Sequence, residues 1–383
     1  MTDLSAKIAD FGTRAVLKLS GKPYPPRFSY PLFNMQVSVL RKHFAQICAQ
    51  EVEKIAAMPE TAKPFADNSK APIWVCWLQG EREMPENLKP YIATIQKNRG
   101  AHPLYFLDLP AAQSLVEIPQ IILESVENGR ISRAHLADYI RICILEKFGG
   151  IWLDTTIILD SPLPDSIFDY PFWSVKNLDF FPYSPVIPGG LQWQIYAIAS
   201  WRDALFYKAL RRLFEFYVRS ETGKINYFFV YYLSEILRER VPILREEYAQ
   251  VKPNNAACEQ IQPFLSGWRQ VCRRNPNEVF GINAADTGTF LYKMSSQIDL
   301  TDVSEVSLAD VNQMTVNLTD VNSADDESSR DENSRKAYVK KRFLTAKYDS
   351  SAYSAISDLK LTNNPTAENP TENTLTGEKD FSR

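Results

Sequence analysis

The stretch that decides the fold is YIRICILEKFGGIWLDTTIILD, which runs from Tyr139 to Asp160. It passes from an apolar helical pattern across two glycines into an apolar strand pattern that contains one carboxylate, Asp154. A buried, unpaired carboxylate costs several kcal/mol unless another group compensates its charge. A metal ion is one such group, so Asp154 is the first candidate for a functional residue.

The helix before the two glycines carries clear boundary signals. Ser132 is a typical N-cap, and Gly149 is a typical stop just past the last turn. Apolar residues on two sides of the helix predict burial on both. Asp138 and Arg141 lie three residues apart, so they face the same space. They form either an intrahelical ion pair or a pair that holds a ligand.

A strand is predicted over Ile151 to Leu159. Side chains alternate along a strand, so Trp152, Asp154 and Thr156 are expected on one face. Asp154 and Thr156 then address a single ligand. The alternative is that Asp154 only accepts backbone hydrogen bonds at a strand end.

The segments upstream predict an α/β fold. PIWVCWLQG (72–80) and HPLYFLDLP (102–110) are short apolar runs typical of buried strands, and MPENLKPYIATIQKN (84–98) between them is a helix candidate. Alternating strands and helices favour a mostly parallel sheet with right-handed crossovers. Ligands of such sheets bind outside the carboxyl ends of the strands.

Composition divides the chain into three parts. Residues 1–70 are predicted to be a helical N-terminal extension with a proline-containing linker, and residues 71–300 to be the main domain. Residues 301–383 are polar and of low complexity, which predicts a disordered tail. The basic patch RKAYVKKRF (335–343) in this tail is either a solvated charge cluster or a contact for anionic lipid.

Charge and cysteine content exclude several classes of protein. The net charge is −3, with no long basic run before the tail, so binding to nucleic acid is not expected. The five cysteines are scattered and lack Cys-x-x-Cys spacing, which favours a reducing compartment over a disulfide framework or a zinc site. With only three histidines, a metal site is expected to use oxygen ligands.

Hydropathy predicts a cytoplasmic protein. The first residues, MTDLSAKIADFGTRAVLKLSG, contain no continuous apolar segment of a secretory signal. No stretch approaches the roughly 20 apolar residues of a membrane span. A lipid-linked substrate is therefore expected to be met by peripheral contact at the inner face of the cell membrane.

Two segments together resemble a known family. AHLADYIRICILEKFGGIWLDTTI (134–157) and IWVCWLQG (73–80) resemble the DXD-type glycosyltransferases of the capsular polysaccharide synthesis group, which are related to yeast mannosyltransferases and clostridial glucosylating toxins. These relatives share a helix with Asp and, three residues on, Arg, followed by Gly-Gly, an aromatic residue and a strand ending in an Asp motif. The resemblance covers roughly residues 71–300. It implies a GT-A fold, with a Rossmann-like mixed, mostly parallel sheet flanked by helices.

The resemblance also implies roles for five residues of a donor site. Trp77 is expected to stack on the nucleobase of a nucleotide-sugar, while Asp138 and Arg141 hold its sugar and ribose. Asp154 is expected to be the first carboxylate of the DXD motif and, with Arg141, a catalytic residue. Asp154 and Thr156 are the expected ligands of Mn²⁺ or Mg²⁺, although Thr156 stands where many relatives have a second Asp. A hydroxyl is a neutral ligand, so metal affinity depends on how much the diphosphate contributes.

The function implied is transfer of a hexose from a nucleotide-sugar to a surface-polysaccharide or lipid-linked glycan acceptor, with retention of anomeric configuration. Thr156 keeps a second hypothesis open: a non-catalytic module that binds nucleotide-sugar or glycan. A third hypothesis is an aspartyl phosphotransferase, because IWLDTTI (151–157) also resembles the Asp-x-Thr strand of haloacid-dehalogenase-type enzymes. That strand is normally first in its domain and is followed by an acidic motif, and neither feature is found here.

Two downstream segments also resemble parts of the family that close the acceptor side. In GKINYFFVYYLSEILRER, the aromatic run from Tyr227 to Tyr232 is either a platform for an acceptor sugar or part of the core. In DTGTFLYKMSS, Lys293 either neutralises phosphate or is an ordinary surface lysine.

Overall fold

The computed structural model describes residues 30–178, 184–266, 288–300 and 327–362. This part of the chain contains both helices and strands. In chain order they are α1 (Tyr30–Ala56), β1 (Ile73–Cys76), α2 (Lys89–Asn98), β2 (Leu104–Leu107), α3 (Leu109–Leu115), α4 (Gln120–Glu127), α5 (Arg133–Phe148), β3 (Gly150–Leu153), β4 (Ile157–Leu159), β5 (Phe172–Ser174), β6 (Ala197–Ser200), α6 (Leu205–Ser220), α7 (Phe229–Arg240), α8 (Pro242–Gln250), α9 (Ile261–Leu265), β7 (Leu291–Lys293), α10 (Glu327–Phe343) and α11 (Ile356–Thr362).

A five-stranded mixed sheet forms the centre of the fold, in the order β2-β1-β3-β6-β5. β1 pairs in parallel with both β2 and β3, whereas β6 runs antiparallel to β3 and β5. Helices cover the sheet, and the residues of β3 are all buried. The predicted α/β class, with a mostly parallel sheet flanked by helices, is confirmed. The carboxyl ends of β1 and β3 therefore meet at one edge.

Helix α5 ends where the sequence predicts, and the two glycines after it are required by close packing. Ser132 caps α5 by accepting a hydrogen bond from the backbone N–H of His135. Gly149 and Gly150 both have positive φ angles, at 64° and 90°. A Cβ atom on Gly150 would lie 2.2 Å from the carbonyl oxygen of Pro72, just before β1. These glycines let β3 start directly beside β1.

The single strand predicted over Ile151 to Leu159 is wrong, because the chain turns in its middle. β3 ends at Leu153, and the backbone N–H of Ile157 donates to the carbonyl of Asp154 across 2.9 Å. β4 then pairs with β7 in a separate two-stranded sheet. Asp154 therefore lies in a turn at the end of the central sheet.

Helix α1 confirms the predicted helical N-terminal segment and shows where it packs. The Phe44 ring stacks on Tyr232 of α7, with centroids 4.8 Å apart, and lies 4.7 Å from the ring of Tyr217 in α6. Phe44 is fully buried by these contacts. The helix is thus part of the core, while residues 1–29 lie outside the described residues.

The expectation of a disordered tail is wrong for residues 327–362. Val339 and Phe343, four residues apart on α10, are buried, and Phe343 packs against the ring of Tyr292 in β7. The Arg342 guanidinium donates two hydrogen bonds to Asp160, at 2.6 and 2.8 Å. A few apolar residues at helical spacing are enough to dock this polar segment. Residues 301–326 and 363–383 lie outside the described residues, and the boundaries at 70 and 300 stay predictions.

Two further expectations concern cysteines and membrane spans. Within the described ranges, all four cysteines are free: Cys48, Cys76, Cys143 and Cys258. Cys272 lies outside these ranges. Among the helices that the structure describes, none has the length and apolar character needed to cross a membrane.

Candidate functional site

A cavity of about 660 Å³ lies at the carboxyl ends of β1 and β3. It is bounded by the segments after these strands, by α5, by the start of α7 and by the end of β7. All five residues predicted for the donor site line it, and their roles stay predictions: Trp77, Asp138, Arg141, Asp154 and Thr156. Residues from three separate segments of the sequence therefore share one half-open cavity.

Arg141 is the central charged group of the cavity. Its Nη2 donates to Asp154 Oδ1 at 2.7 Å, and its Nη1 donates to the carbonyl oxygen of Ile195 at 2.6 Å. Nη1 also lies 3.2 Å from Asp138 Oδ1. The guanidinium packs over the Trp152 ring, 5.0 Å from its centroid. Its Nε atom is buried and has no hydrogen-bond partner in the described part of the chain.

The two carboxylates beside Arg141 have different surroundings. The Asp154 side chain is 29% exposed and the Asp138 side chain 17% exposed, so both are open to the cavity. Burial raises the pKa of Asp138 to about 6, with Arg141 lowering it and Asp154 raising it further. Asp154 Oδ1 also accepts a hydrogen bond from the Trp152 indole at 3.1 Å. Asp154 therefore has its charge compensated by a guanidinium.

A second cation reaches Asp154 from the other side. The Lys293 ammonium, at the end of β7, donates a hydrogen bond to the Thr156 hydroxyl. It lies 3.8 Å from Asp154 Oδ2 and 5.4 Å from the centroid of the Tyr196 ring. Its side chain is only 19% exposed, so Lys293 is not an ordinary surface lysine.

These surroundings do not fit a divalent cation held by Asp154 and Thr156. Such an ion needs oxygen ligands within roughly 2.0–2.6 Å, and Lys293 already occupies the space between these two side chains. A dication about 4 Å from the ammonium is repelled by on the order of 8 kcal/mol at an effective dielectric constant of about 20. Among the described residues, no group of three or more His, Cys, Asp or Glu side chains could hold a metal ion.

Trp77 lies at the mouth of the cavity, directly after β1. Its backbone N–H donates to the carbonyl of Leu107 at 2.9 Å, which extends the pairing with β2 by one residue. Its indole Nε1 donates to the carbonyl of Glu83 at 3.1 Å. The ring is half-buried and fixed at one edge, as a stacking surface for a planar ligand requires.

One buried carboxylate in the cavity wall, Glu259, is not among the residues that the sequence predicts for the site. Burial raises its pKa to about 7, while Lys293 and a hydrogen bond from Tyr196 lower it. No motif surrounds Glu259, and nothing in the local sequence indicates that it meets Lys293. Only the packing of β7 against this segment brings the two together.

The aromatic run from Tyr227 to Tyr232 divides between the two roles considered for it. Tyr227, Phe228 and Tyr231 line the cavity, and Tyr231 is also buried, as are Phe229 and Tyr232 in the core. Tyr227 is 59% exposed, so its ring is accessible at the cavity wall. Tyr227 and Phe228 lie in the turn before α7, which begins at Phe229.

The fold and the cavity define an α/β protein with a candidate ligand site at the carboxyl edge of its sheet. The sequence model of capsular polysaccharide synthesis proteins matches residues 33–306. The chain belongs to this family. A search among curated proteins finds no match.

One solved structure with a detectable likeness is described as "PaToxG Glycosyltransferase". It aligns with a TM-score of 0.32 and 15% sequence identity, covering 56% of this chain and 84% of that chain. At this level the likeness carries no argument about activity.

Proposed function

We propose that this protein is a glycosyltransferase that moves a hexose from a nucleotide-sugar to a surface-polysaccharide or lipid-linked glycan acceptor. The observation that carries the proposal is the single cavity in which Trp77, Asp138, Arg141 and Asp154 meet. Membership of the capsular polysaccharide synthesis family supports it. The protein would then act in the cytoplasm, with peripheral contact to the membrane if the acceptor is lipid-linked.

The charges in the cavity suit a nucleotide-sugar. Trp77 offers an aromatic face for the base, and Asp138 offers a carboxylate for sugar or ribose hydroxyls. Arg141 holds Asp138 and Asp154 in place, and its guanidinium is a fixed cationic donor in the cavity wall. Fixed donors of this kind stabilise charge that develops on a leaving diphosphate.

The proposed reaction breaks the bond between the anomeric carbon and the diphosphate oxygen, and that oxygen keeps the electron pair. The acceptor hydroxyl oxygen forms the new bond to the same carbon, and its proton passes to the departing diphosphate. Asp138 and Asp154 are both bound by Arg141, so neither serves as a free nucleophile. Retention, which the family resemblance implies, would then proceed without a covalent enzyme intermediate.

Tyr227 is the best candidate for the acceptor side. Its exposed ring lies at the cavity wall and packs against His135, with the two ring centroids 5.6 Å apart. Sugars pack well on aromatic faces. Replacement of Tyr227 by alanine is expected to weaken acceptor use more than donor binding.

The test is a panel of UDP-, GDP- and dTDP-hexoses, scored for thermal stabilisation and for slow release of nucleoside diphosphate. One donor is expected to give both signals. Asp154→Asn should abolish release and retain the fold. Asp169→Asn, an exposed aspartate outside the cavity, is the matched control and should keep full activity.

Other outcomes would support the alternatives. Stabilisation without release, even with candidate acceptors present, would favour the non-catalytic binding module suggested by Thr156. No response to any donor would refute the proposal and reopen the phosphotransferase hypothesis, in which Asp154 carries the phosphoryl group.

A further inference from the structure

We infer that Lys293 takes the place of a metal ion at the donor diphosphate, so that this transferase needs no divalent cation. The inference rests on the proposed function. The expected site for Mn²⁺ or Mg²⁺ at Asp154 and Thr156 does not fit the geometry that these two side chains form with Lys293.

The Lys293 ammonium lies where the metal ion would be expected. Lys293 Nζ is hydrogen-bonded to Thr156 and lies 3.8 Å from Asp154 Oδ2. A metal ion bound by the DXD-type motif would have to contact these same two oxygens. The ammonium thus occupies the place where the motif would present its cation to a diphosphate.

Lys293 is also held firmly in this position. β7 pairs with β4 in register, so that Lys293 lies opposite Ile157, directly after the Asp154 turn. The backbone N–H of Lys293 donates to the carbonyl of Cys258 at 2.9 Å, and the ammonium lies over the Tyr196 ring. A fixed, partly buried cation requires little reorganisation when charge develops nearby.

The identity of residue 156 also favours an ammonium over a metal ion. A threonine hydroxyl accepts a hydrogen bond from an ammonium and carries no charge, whereas an aspartate at this position would add the second carboxylate that a dication prefers. Thr156 and Lys293 therefore form a matched pair: one carboxylate is lost from the motif and one cation is gained. Asp154 and Lys293 together carry no net charge, as two carboxylates and a dication would.

The experiment measures release of nucleoside diphosphate from the donor identified by the panel, in EDTA and in Mn²⁺. Wild type is expected to release it at the same rate in both. In Lys293→Met the rate of release should fall by about 100-fold or more, as expected when one fixed donor to a developing anion is removed. Lys293→Arg should retain part of the activity. Lys252→Met, at an exposed position outside the cavity, is the control and should match wild type.

A second readout does not depend on turnover. Thermal stabilisation of wild type by UDP, GDP or dTDP should persist in EDTA and should be lost in Lys293→Met. The double variant Thr156→Asp with Lys293→Met has two carboxylates and lacks the ammonium. Mn²⁺ without any nucleotide should therefore stabilise this variant, although it should not stabilise wild type.

Each outcome decides between the ideas. Wild-type release or binding that disappears in EDTA and returns with Mn²⁺, with Lys293→Met still active, would overturn the inference and leave the glycosyltransferase proposal intact. Absence of binding and release with every donor, with or without metal, would refute both.

Discussion

Replacing Arg141 with lysine keeps one positive charge in the cavity but removes the planar fork that joins three partners. The guanidinium bonds the Ile195 carbonyl at 2.6 Å and Asp154 at 2.7 Å, and it lies 3.2 Å from Asp138. The ammonium of a lysine is a point charge and cannot reach all three partners at once. At least one carboxylate or the buried carbonyl is then left without its donor.

The magnitude follows from the hydrogen bonds that a lysine cannot make. A hydrogen bond to a charged group contributes about 1.5–3 kcal/mol, so the absence of one or two of them should lower the free energy of unfolding by about 2–5 kcal/mol. The full value applies because the Arg141 side chain is only 5% exposed.

Arg211→Lys is the matched control for this prediction. Arg211 also binds two carboxylates, Glu146 at 2.5 and 3.1 Å and Glu215 at 3.0 Å, but it lies outside the cavity and is 35% exposed. Solvent screening should limit the decrease in stability to less than about 1 kcal/mol.

Urea denaturation of the two variants and wild type measures both values at pH 7. Thermal stabilisation by the identified donor should be lost in Arg141→Lys and kept in Arg211→Lys. Equal decreases in stability in the two variants, or a decrease below about 1 kcal/mol in Arg141→Lys, would refute the assignment of Arg141 as the central buried cation.

Three further predictions concern stability. Burial, and then Glu60, raise the pKa of Glu247 to about 9 from 4.5, so wild type should lose stability progressively as the pH rises from about 4.5 to about 9. Glu247→Gln should match wild type at pH 5 and unfold at higher urea than wild type at pH 9. Gly150→Ala should lower the free energy of unfolding by more than about 3 kcal/mol, because the added methyl group would clash with the carbonyl oxygen before β1. Gly129→Ala should lower it by about 1–2 kcal/mol, because Gly129 also has a positive φ but has open space around it. Urea denaturation measures both values. Arg342→Met leaves its carboxylate partner without a cation and should cost about 1–3 kcal/mol, seen as faster proteolysis within α10.

Local signals account for what the sequence predicted correctly. The cap at Ser132, the stop at Gly149 and the three-residue spacing of Asp138 and Arg141 depend on neighbours within one helix, so each can be seen without knowing the fold. The same holds for the buried strands, whose apolar residues are contiguous. The strand predicted through Asp154 failed because a turn and a change of sheet leave no mark in hydrophobic alternation.

The sequence by itself determined the α/β class, the helix that carries Asp138 and Arg141, and the edge of the sheet where the candidate site lies. Only the tertiary structure decided what compensates Asp154. Its charge is met by Arg141 from the neighbouring helix and by Lys293, which reaches Thr156 across 137 residues of sequence. The physical reason is that a charge pair between residues far apart in sequence depends on how whole strands pack. Periodicity and spacing carry no information about the distance in space between such residues.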